Sequence, residues 1–205
     1  MRRSLAIGAL TTLLISLTAG SALATGDHPA PDAEETGAEQ FVPVDPAFYD
    51  EVVQAEACGS IVTITAGDVR EVEERVTELA TGEVLVEFRG AATVDLVRES
   101  DGAVIDELDI SGPGYELQRT VGNEVRITNV LYGASLLFPY AGSAVDIAAF
   151  EEAGIPDLAY FTAPEESVEV EIVVDAETGE PLEVEFDEID AELVDLCWLF
   201  DHRPW

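Results

Sequence analysis

Residues 83–98 have the sequence EVLVEFRGAATVDLVR, and this stretch decides the fold class. Its even-numbered positions from 84 to 96 are apolar or glycine, whereas charged residues such as Glu87 occupy odd-numbered positions. Because successive side chains of a β-strand point to opposite faces, this period of two predicts one long strand with an apolar inward face and a charged outward face. Gly90, on the inward side, predicts a sharp bend of the sheet.

The same alternation returns in three further runs, at residues 125–131, 168–174 and 182–186. Turn sequences separate the runs: Asp101-Gly102 follows the long strand, and a loop containing Gly179 precedes the last run. We therefore predict a mainly β domain, an antiparallel barrel or sandwich of about eight strands with one or two short helices.

Two segments carry helical signals. Residues 143–152 begin with Ser143 and are followed by Gly154, which are typical start and stop residues of a helix. Residues 190–200 have apolar side chains at helical spacing. Residues 70–79 fit a helix and an exposed strand about equally; the strands on both sides favour a strand, and both interpretations stay open at this point.

The N-terminus has the three parts of an export signal. Arg2 and Arg3 form a positive region, residues 5–17 are apolar, and small residues end at Ala24. The apolar stretch is shorter than the roughly 20 residues that span a bilayer. We therefore expect cleavage near Ala24 and a secreted protein, in the medium or associated with the cell envelope.

The rest of the chain divides by composition. The residues after the predicted cleavage site are rich in Pro and acidic side chains, which cannot form a core. Five apolar residues of this tail are candidates to dock against the domain: Phe41, Val42, Val44, Phe48 and Tyr49. The predicted organisation is a signal peptide (1–24), an acidic Pro-containing tail (25–54), a single β domain (55–200) and a C-terminal tail (201–205).

Cys58 and Cys197 lie near opposite ends of the predicted domain and are the two cysteines of the chain. An exported protein with two cysteines allows one intramolecular pair, so we predict a Cys58–Cys197 disulfide. The alternatives are two buried free thiols or a metal site. A metal site would need further ligands, and the two histidines, His28 and His202, lie in the predicted tails.

The chain is extremely acidic, with 43 Asp and Glu residues against 9 basic residues and a formal charge of -34. Nucleic acids and anionic membrane surfaces bind proteins through Lys and Arg, so both are excluded as partners. The 47% of hydrophobic residues excludes a chain that is disordered throughout. All basic residues are Arg, and this Lys-free, carboxylate-rich composition indicates adaptation to a saline or alkaline habitat.

No catalytic residue emerges from the sequence. The chain has no Gly-x-Ser-x-Gly elbow and no phosphate-binding glycine loop. The strand acids are expected on outward faces, where the pKa of a carboxyl stays ordinary. We expect no cofactor, with calcium as an alternative to a solvated acidic face at the densest group of acids. This group comprises Asp187, Glu188, Asp190 and Glu192.

The apolar interior is the remaining candidate for a binding site. Such an interior is either filled by side chains or holds a small ligand. We expect a binding or interaction module rather than an enzyme, with a small apolar ligand or an envelope component as partner. The alternative is a small barrel enzyme of the cyclase, isomerase or hydrolase type acting on an apolar or sugar substrate, which converging polar groups and a carboxyl of raised pKa would favour. The expected interior residues are Val84, Phe88, Leu96, Ile127, Leu131 and Phe186.

Four short motifs follow one another along the chain: Ala57-Cys58-Gly59, Ile110-Ser111-Gly112-Pro113-Gly114, Leu136-Leu137-Phe138-Pro139 and Val194-Asp195-Leu196-Cys197. In this order they resemble a group of secreted actinobacterial proteins of unknown function, over about residues 55–200. The resemblance implies export, one disulfide and a mostly β domain. It implies no catalytic residues.

Overall fold

The computed structural model describes residues 40–202 of the chain. The predicted signal peptide with its cleavage position at Ala24, the first part of the predicted tail and the last three residues lie outside the described residues. Within residues 40–202 the chain forms fourteen β-strands, paired antiparallel, and two α-helices. The predicted mainly β class is confirmed.

Sheet A is the largest sheet and has seven strands. Two neighbouring nine-residue strands of this sheet are in register along their whole length, from Ser167 opposite Tyr132 to Asp175 opposite Glu124. The segment at residues 70–79 contributes a strand to this sheet, which settles the choice between helix and strand. In spatial order the strands are β1 (Val42–Pro43), β4 (Glu73–Glu78), β5 (Val84–Arg89), β8 (Gly114–Val121), β9 (Glu124–Tyr132), β12 (Ser167–Asp175) and β13 (Pro181–Asp190).

Two smaller sheets complete the domain in a sandwich-like arrangement rather than a closed barrel. The strand number exceeds the predicted number because strands of two or three residues are too short to show an alternating pattern. Sheet B consists of β2 (Val53–Ala57), β3 (Ser60–Arg70), β6 (Ala92–Arg98) and β7 (Ala103–Asp109). Sheet C consists of β10 (Ser135–Leu137), β11 (Ala159–Phe161) and β14 (Val194–Asp195).

The alternating run at residues 83–98 is not one strand. It divides at Gly90 into β5, which belongs to sheet A, and β6, which belongs to sheet B. Gly90 has a φ of 108°, and a Cβ at this position would lie 2.1 Å from the carbonyl oxygen of Glu71. Two backbones cross here so closely that only glycine fits. The predicted bend at Gly90 is confirmed, and the prediction of a single strand is wrong.

Two apolar cores lie on opposite faces of sheet C. Leu136 of β10 packs in the core on sheet B, and its neighbour Leu137 packs in the core under sheet A. Adjacent residues of a strand point to opposite faces, so one short strand serves both cores. The first core is closed by Phe200 of helix α2 (Leu196–His202), and the second by Phe150 of helix α1 (Ala144–Ala153).

Helix α1 has the predicted ends. The Ser143 hydroxyl accepts a hydrogen bond from the Asp146 backbone N–H, and Gly154 terminates the helix in the left-handed conformation with a φ of 68°. Helix α2 begins later than the predicted helix at residues 190–200. The residues just before Leu196 pair with β11 as strand β14, and this pairing keeps them extended.

Cys58 and Cys197 form a disulfide, which confirms the predicted pair. They are 139 positions apart in the sequence. Cys58 lies in the turn between β2 and β3, whereas Cys197 lies in the first turn of α2. The bond therefore attaches the last helix to the first hairpin of sheet B.

Folded elements begin before residue 55. Val42–Pro43 pairs with β4, and a 3₁₀ helix follows at Pro46–Asp50. Val44 and Phe48 are buried. The predicted boundary between tail and domain falls inside β2, so the described domain includes residues that composition assigned to the tail.

Candidate functional site: a cavity between the two large sheets

A cavity of about 100 Å³ lies between sheet A and sheet B. Sheet A contributes Phe88 and Leu131 to its wall, and sheet B contributes Val53, Ile64 and Val94. Water needs two to four polar partners to occupy a buried space, so hydrocarbon walls favour an apolar occupant.

Gly114 creates part of this space. Phe88, Gly114 and Leu131 are direct neighbours on β5, β8 and β9, so they share one face of sheet A. A Cβ at Gly114, the middle one of the three, would lie 3.3 Å from Cδ2 of Leu131. Because glycine has no side chain, a gap remains between two large apolar neighbours.

The 3₁₀ helix Pro46–Asp50 supplies another wall. Phe48 and Tyr49 line the cavity, and Phe48 is 9% exposed. The carboxylate of Asp45 accepts a hydrogen bond from the Ala47 backbone N–H at 2.9 Å. An Asp cap followed by Pro at the first position is a strong helix start, so the local sequence specifies this short helix.

Three of the polar side chains that the strands contribute to the wall have protein partners. Arg89 forms an ion pair with Glu73 at 2.6 Å. The Thr93 hydroxyl donates a hydrogen bond to the Glu107 carboxylate, and the Ser135 hydroxyl donates to a backbone carbonyl at 3.2 Å. Their polar groups are engaged within the protein, and the surface that the cavity presents to an occupant is mainly apolar.

Two of the six residues predicted to line the interior, Phe88 and Leu131, lie in the cavity wall. Alternation assigns a side chain to a face of a sheet, whereas the cavity forms only where the two large sheets face each other. The other four lie elsewhere: Leu96 and Ile127 in the two cores, Phe186 packed edge-on against Phe150, and Val84 half-buried at the start of β5.

The residues that sheet B contributes to the cavity wall were not among those predicted from the sequence. Val53 and Ile64 face each other on β2 and β3. The alternation Val53, Ala55, Ala57 was a usable signal, although a five-residue strand with two alanines gives a weak one. By contrast, Phe48 was predicted to dock against the domain, and it is buried at the cavity.

Three strand glutamates are buried, so the expectation that strand acids point outward is wrong. Glu74, Glu87 and Glu116, on β4, β5 and β8, are 5%, 2% and 6% exposed. Burial raises the pKa of each carboxyl from 4.5 to about 7. Two partners oppose this rise: Arg75, 3.8 Å from the Glu87 carboxylate, and Gln118, whose amide donates to Glu116 at 2.9 Å. The three carboxyls lie outside the cavity wall.

The four acids considered as calcium ligands lie on β13 and just after it, and all are exposed. Asp187, Glu188 and Asp190 belong to the strand, whereas Glu192 follows it and donates its backbone N–H to Glu166 at 2.8 Å. Across residues 40–202, no group of three or more His, Cys, Asp or Glu side chains is arranged to hold a metal ion.

Neither helix in the described part of the chain has the length and apolar character needed to cross a membrane. Comparison with known proteins finds no matching family model, no matching curated protein and no matching solved structure. The basis for a functional proposal is therefore the cavity.

Proposed function

We propose that this protein is an exported binding module that holds a small apolar group in the cavity between sheets A and B. The observation that carries the proposal is the chemistry of the wall. Most of its side chains are hydrocarbon, the polar side chains of Arg89, Thr93 and Ser135 have protein partners, and its one carboxyl, Glu51, belongs to an exposed residue. Binding sites for small molecules are concave and mainly apolar in this way.

The cavity volume sets the size of the bound group. An engineered apolar cavity of about 150 Å³ holds benzene. A space of about 100 Å³ therefore accommodates roughly four carbon atoms by the same scale. The ligand is thus a short aliphatic molecule, or the aliphatic end of a larger one.

Export is supported by the disulfide and by the N-terminal sequence. Disulfides persist in oxidising compartments outside the cytosol. The Cys58–Cys197 bond fits a protein that works in the medium or at the cell envelope. The resemblance to secreted proteins points in the same direction.

An enzymatic role has less support. Catalysis needs acid, base or nucleophilic groups within reach of one bound substrate. The carboxyls of raised pKa, Glu74, Glu87 and Glu116, lie outside the cavity wall. The one carboxyl among the described residues of the wall, Glu51, belongs to an exposed residue, and Arg89 is the one other charged side chain there. A carrier or an apolar-ligand receptor needs no such groups, so the wall chemistry favours binding.

The proposal is tested by titrating the protein with 1-butanol and recording backbone amide shifts by NMR. We expect weak, saturable shifts confined to residues around the cavity. Ala92→Leu places a larger side chain on the wall at a residue that is 5% exposed, and it should abolish these shifts. The matched control is Ala80→Leu in the exposed loop between β4 and β5, which should bind as the wild type does.

Two outcomes would contradict the proposal. One is a set of shifts that spreads over the surface without saturating. The other is equal binding by the wild type and by Ala92→Leu, provided that the spectrum of this variant retains the dispersion of a folded protein.

A further inference from the structure

Residues 44–52 form a strap that crosses the cavity wall between β1 and β2. Its ends are fixed: the Val44 backbone N–H donates to the Val72 carbonyl at 3.1 Å, and β2 begins at Val53. Most of the strap between these ends is exposed, whereas Phe48 is buried and Tyr49 is half-buried. The strap thus inserts one large side chain into the cavity while its backbone stays at the surface.

The middle of the strap has few attachments. Among the described residues, one hydrogen bond joins residues 45–52 to another element, and it runs from the Val72 backbone N–H to the Tyr49 hydroxyl oxygen at 3.0 Å. The guanidinium of Arg70 lies 5.7 Å from the centre of the Tyr49 ring and adds a weak cation–π contact. Burial of the Phe48 ring also stabilises the strap against the domain.

We propose that residues 44–52 are the gate of the cavity, and that they open by breaking the hydrogen bond from Val72 to Tyr49 and withdrawing Phe48. This inference rests on the proposed ligand cavity and adds the control of its access. Segments with few buried contacts and few hydrogen bonds open at lower free energy than the core does. The strap has both properties, whereas the sheets on either side are joined by continuous ladders of hydrogen bonds.

The gate also explains how a ligand reaches the cavity. Phe48 and Tyr49 form the wall contributed by the strap, and Glu51 and Gly90, both exposed, mark where the cavity meets solvent. Moving the strap outward widens this opening without separating any pair of strands. Access is then controlled by one short segment, and the two sheets remain intact.

The experiment measures opening without any ligand. Ala92→Cys introduces a thiol on the cavity wall, and Ala103→Cys introduces one in the core on sheet B, away from the cavity. Both alanines are buried, at 5% and 3% exposure. Labelling by N-ethylmaleimide, followed by mass spectrometry, reports how often each thiol becomes accessible while the native disulfide stays oxidised.

Tyr49→Phe then removes the hydroxyl that holds the strap and keeps the ring. We expect it to raise the labelling rate of Ala92→Cys roughly fivefold, the factor that corresponds to one neutral hydrogen bond. The labelling rate of Ala103→Cys should stay far below that of Ala92→Cys with either residue at position 49, because the Ala103→Cys thiol is reached only through unfolding, which costs more free energy than opening the gate. If Ala92→Cys does not fold, Ala66→Cys offers a second position on the wall.

Equal labelling of the cavity thiol with and without the Tyr49 hydroxyl overturns the gate. Equal labelling rates of the Ala92→Cys and Ala103→Cys thiols also overturn it, because both thiols would then be reached only through unfolding. The two proposals fail separately. Selective labelling in a protein that binds no 1-butanol refutes the binding function and leaves the gate in place, whereas butanol binding without selective labelling refutes the gate alone.

Discussion

Replacing Glu116 by Gln should stabilise the protein at neutral and alkaline pH and have almost no effect in acid. Glu116 lies on β8 in the interior, and its carboxylate accepts one hydrogen bond from the Gln118 amide at 2.9 Å. A Gln side chain has nearly the same shape and keeps an oxygen that accepts this hydrogen bond. The substitution therefore removes the ionisation and leaves the packing in place.

The magnitude follows from the pKa of the carboxyl in the two states. Burial raises the pKa of Glu116 to about 7, against 4.5 for an ordinary glutamate. Each pH unit of difference corresponds to about 1.4 kcal/mol, so ionisation of Glu116 costs the folded state about 3 kcal/mol. The unfolded carboxyl ionises first as the pH rises, and the folded state then binds more protons. Stability is therefore lost from about pH 4.5 and levels off above about pH 7.

The assay is urea unfolding followed by intrinsic fluorescence at pH values from 4 to 8.5, with the disulfide intact. We expect the free energies of unfolding of wild type and Glu116→Gln to agree near pH 4 and to differ by about 3 kcal/mol above pH 8. Glu185→Gln on the exposed side of β13 is the control, because it removes the same charge from a solvated position. A Glu116→Gln gain that is independent of pH, or no larger than the Glu185→Gln gain, would refute the assignment of a buried, destabilising carboxyl.

Two further predictions concern covalent and backbone constraints. Replacing both Cys58 and Cys197 by Ser should lower the free energy of unfolding by about 4 to 5 kcal/mol, because the disulfide closes a long loop and restricts the unfolded chain. Urea unfolding measures this change, and an unchanged midpoint would contradict the prediction. Gly90→Ala should lower the free energy of unfolding by about 3 kcal/mol, because a Cβ would lie 2.1 Å from the Glu71 carbonyl oxygen. Gly82→Ala is the control and should lower it less, because Gly82 has a φ of 86° but no neighbouring atom within 4 Å of the added Cβ. Equal shifts of the melting temperature in the two variants would argue against a tight crossing at Gly90.

The fold class was predictable from the sequence, but the assignment of faces was only partly so. On β6 the alternation holds, with Ala92, Val94 and Leu96 buried. On β5 the most buried residues are instead Leu85 and Glu87, at odd-numbered positions. Both faces of this part of sheet A are covered by other residues, and the alternation of apolar and polar residues along a strand cannot show which of the two faces is more buried. Glu87 was missed for this reason. Glu74 and Glu116 lie on the other face, directly opposite Phe88 and Val86 of β5.

The cavity was less predictable because its parts are distant in the sequence and several carry no pattern. The strap residue Phe48 stands in a segment whose composition is that of a tail. Gly114 contributes by lacking a side chain, and a missing side chain leaves no hydrophobic signal. Phe88 and Leu131 were identified because they belong to long alternating strands, which are the part of a β fold that sequence periodicity does specify.

The cavity and the bends of the chain have a common origin. The chain passes between sheets B and A at residues 71–72, 90–91 and 110–113, and Val72, Gly90 and Gly112 at these crossings line the cavity. At Gly112 a Cβ would lie 2.0 Å from the Tyr132 carbonyl oxygen, so this crossing also requires glycine. Gly90 and Gly112 let backbones approach closely but supply no side chain to fill the space beside them, whereas Val72 and Ile110 at the crossings fill only part of it. The space between the sheets is therefore a consequence of how the two sheets are joined, and tests of binding should alter wall residues such as Ala92 rather than the glycines that hold the fold together.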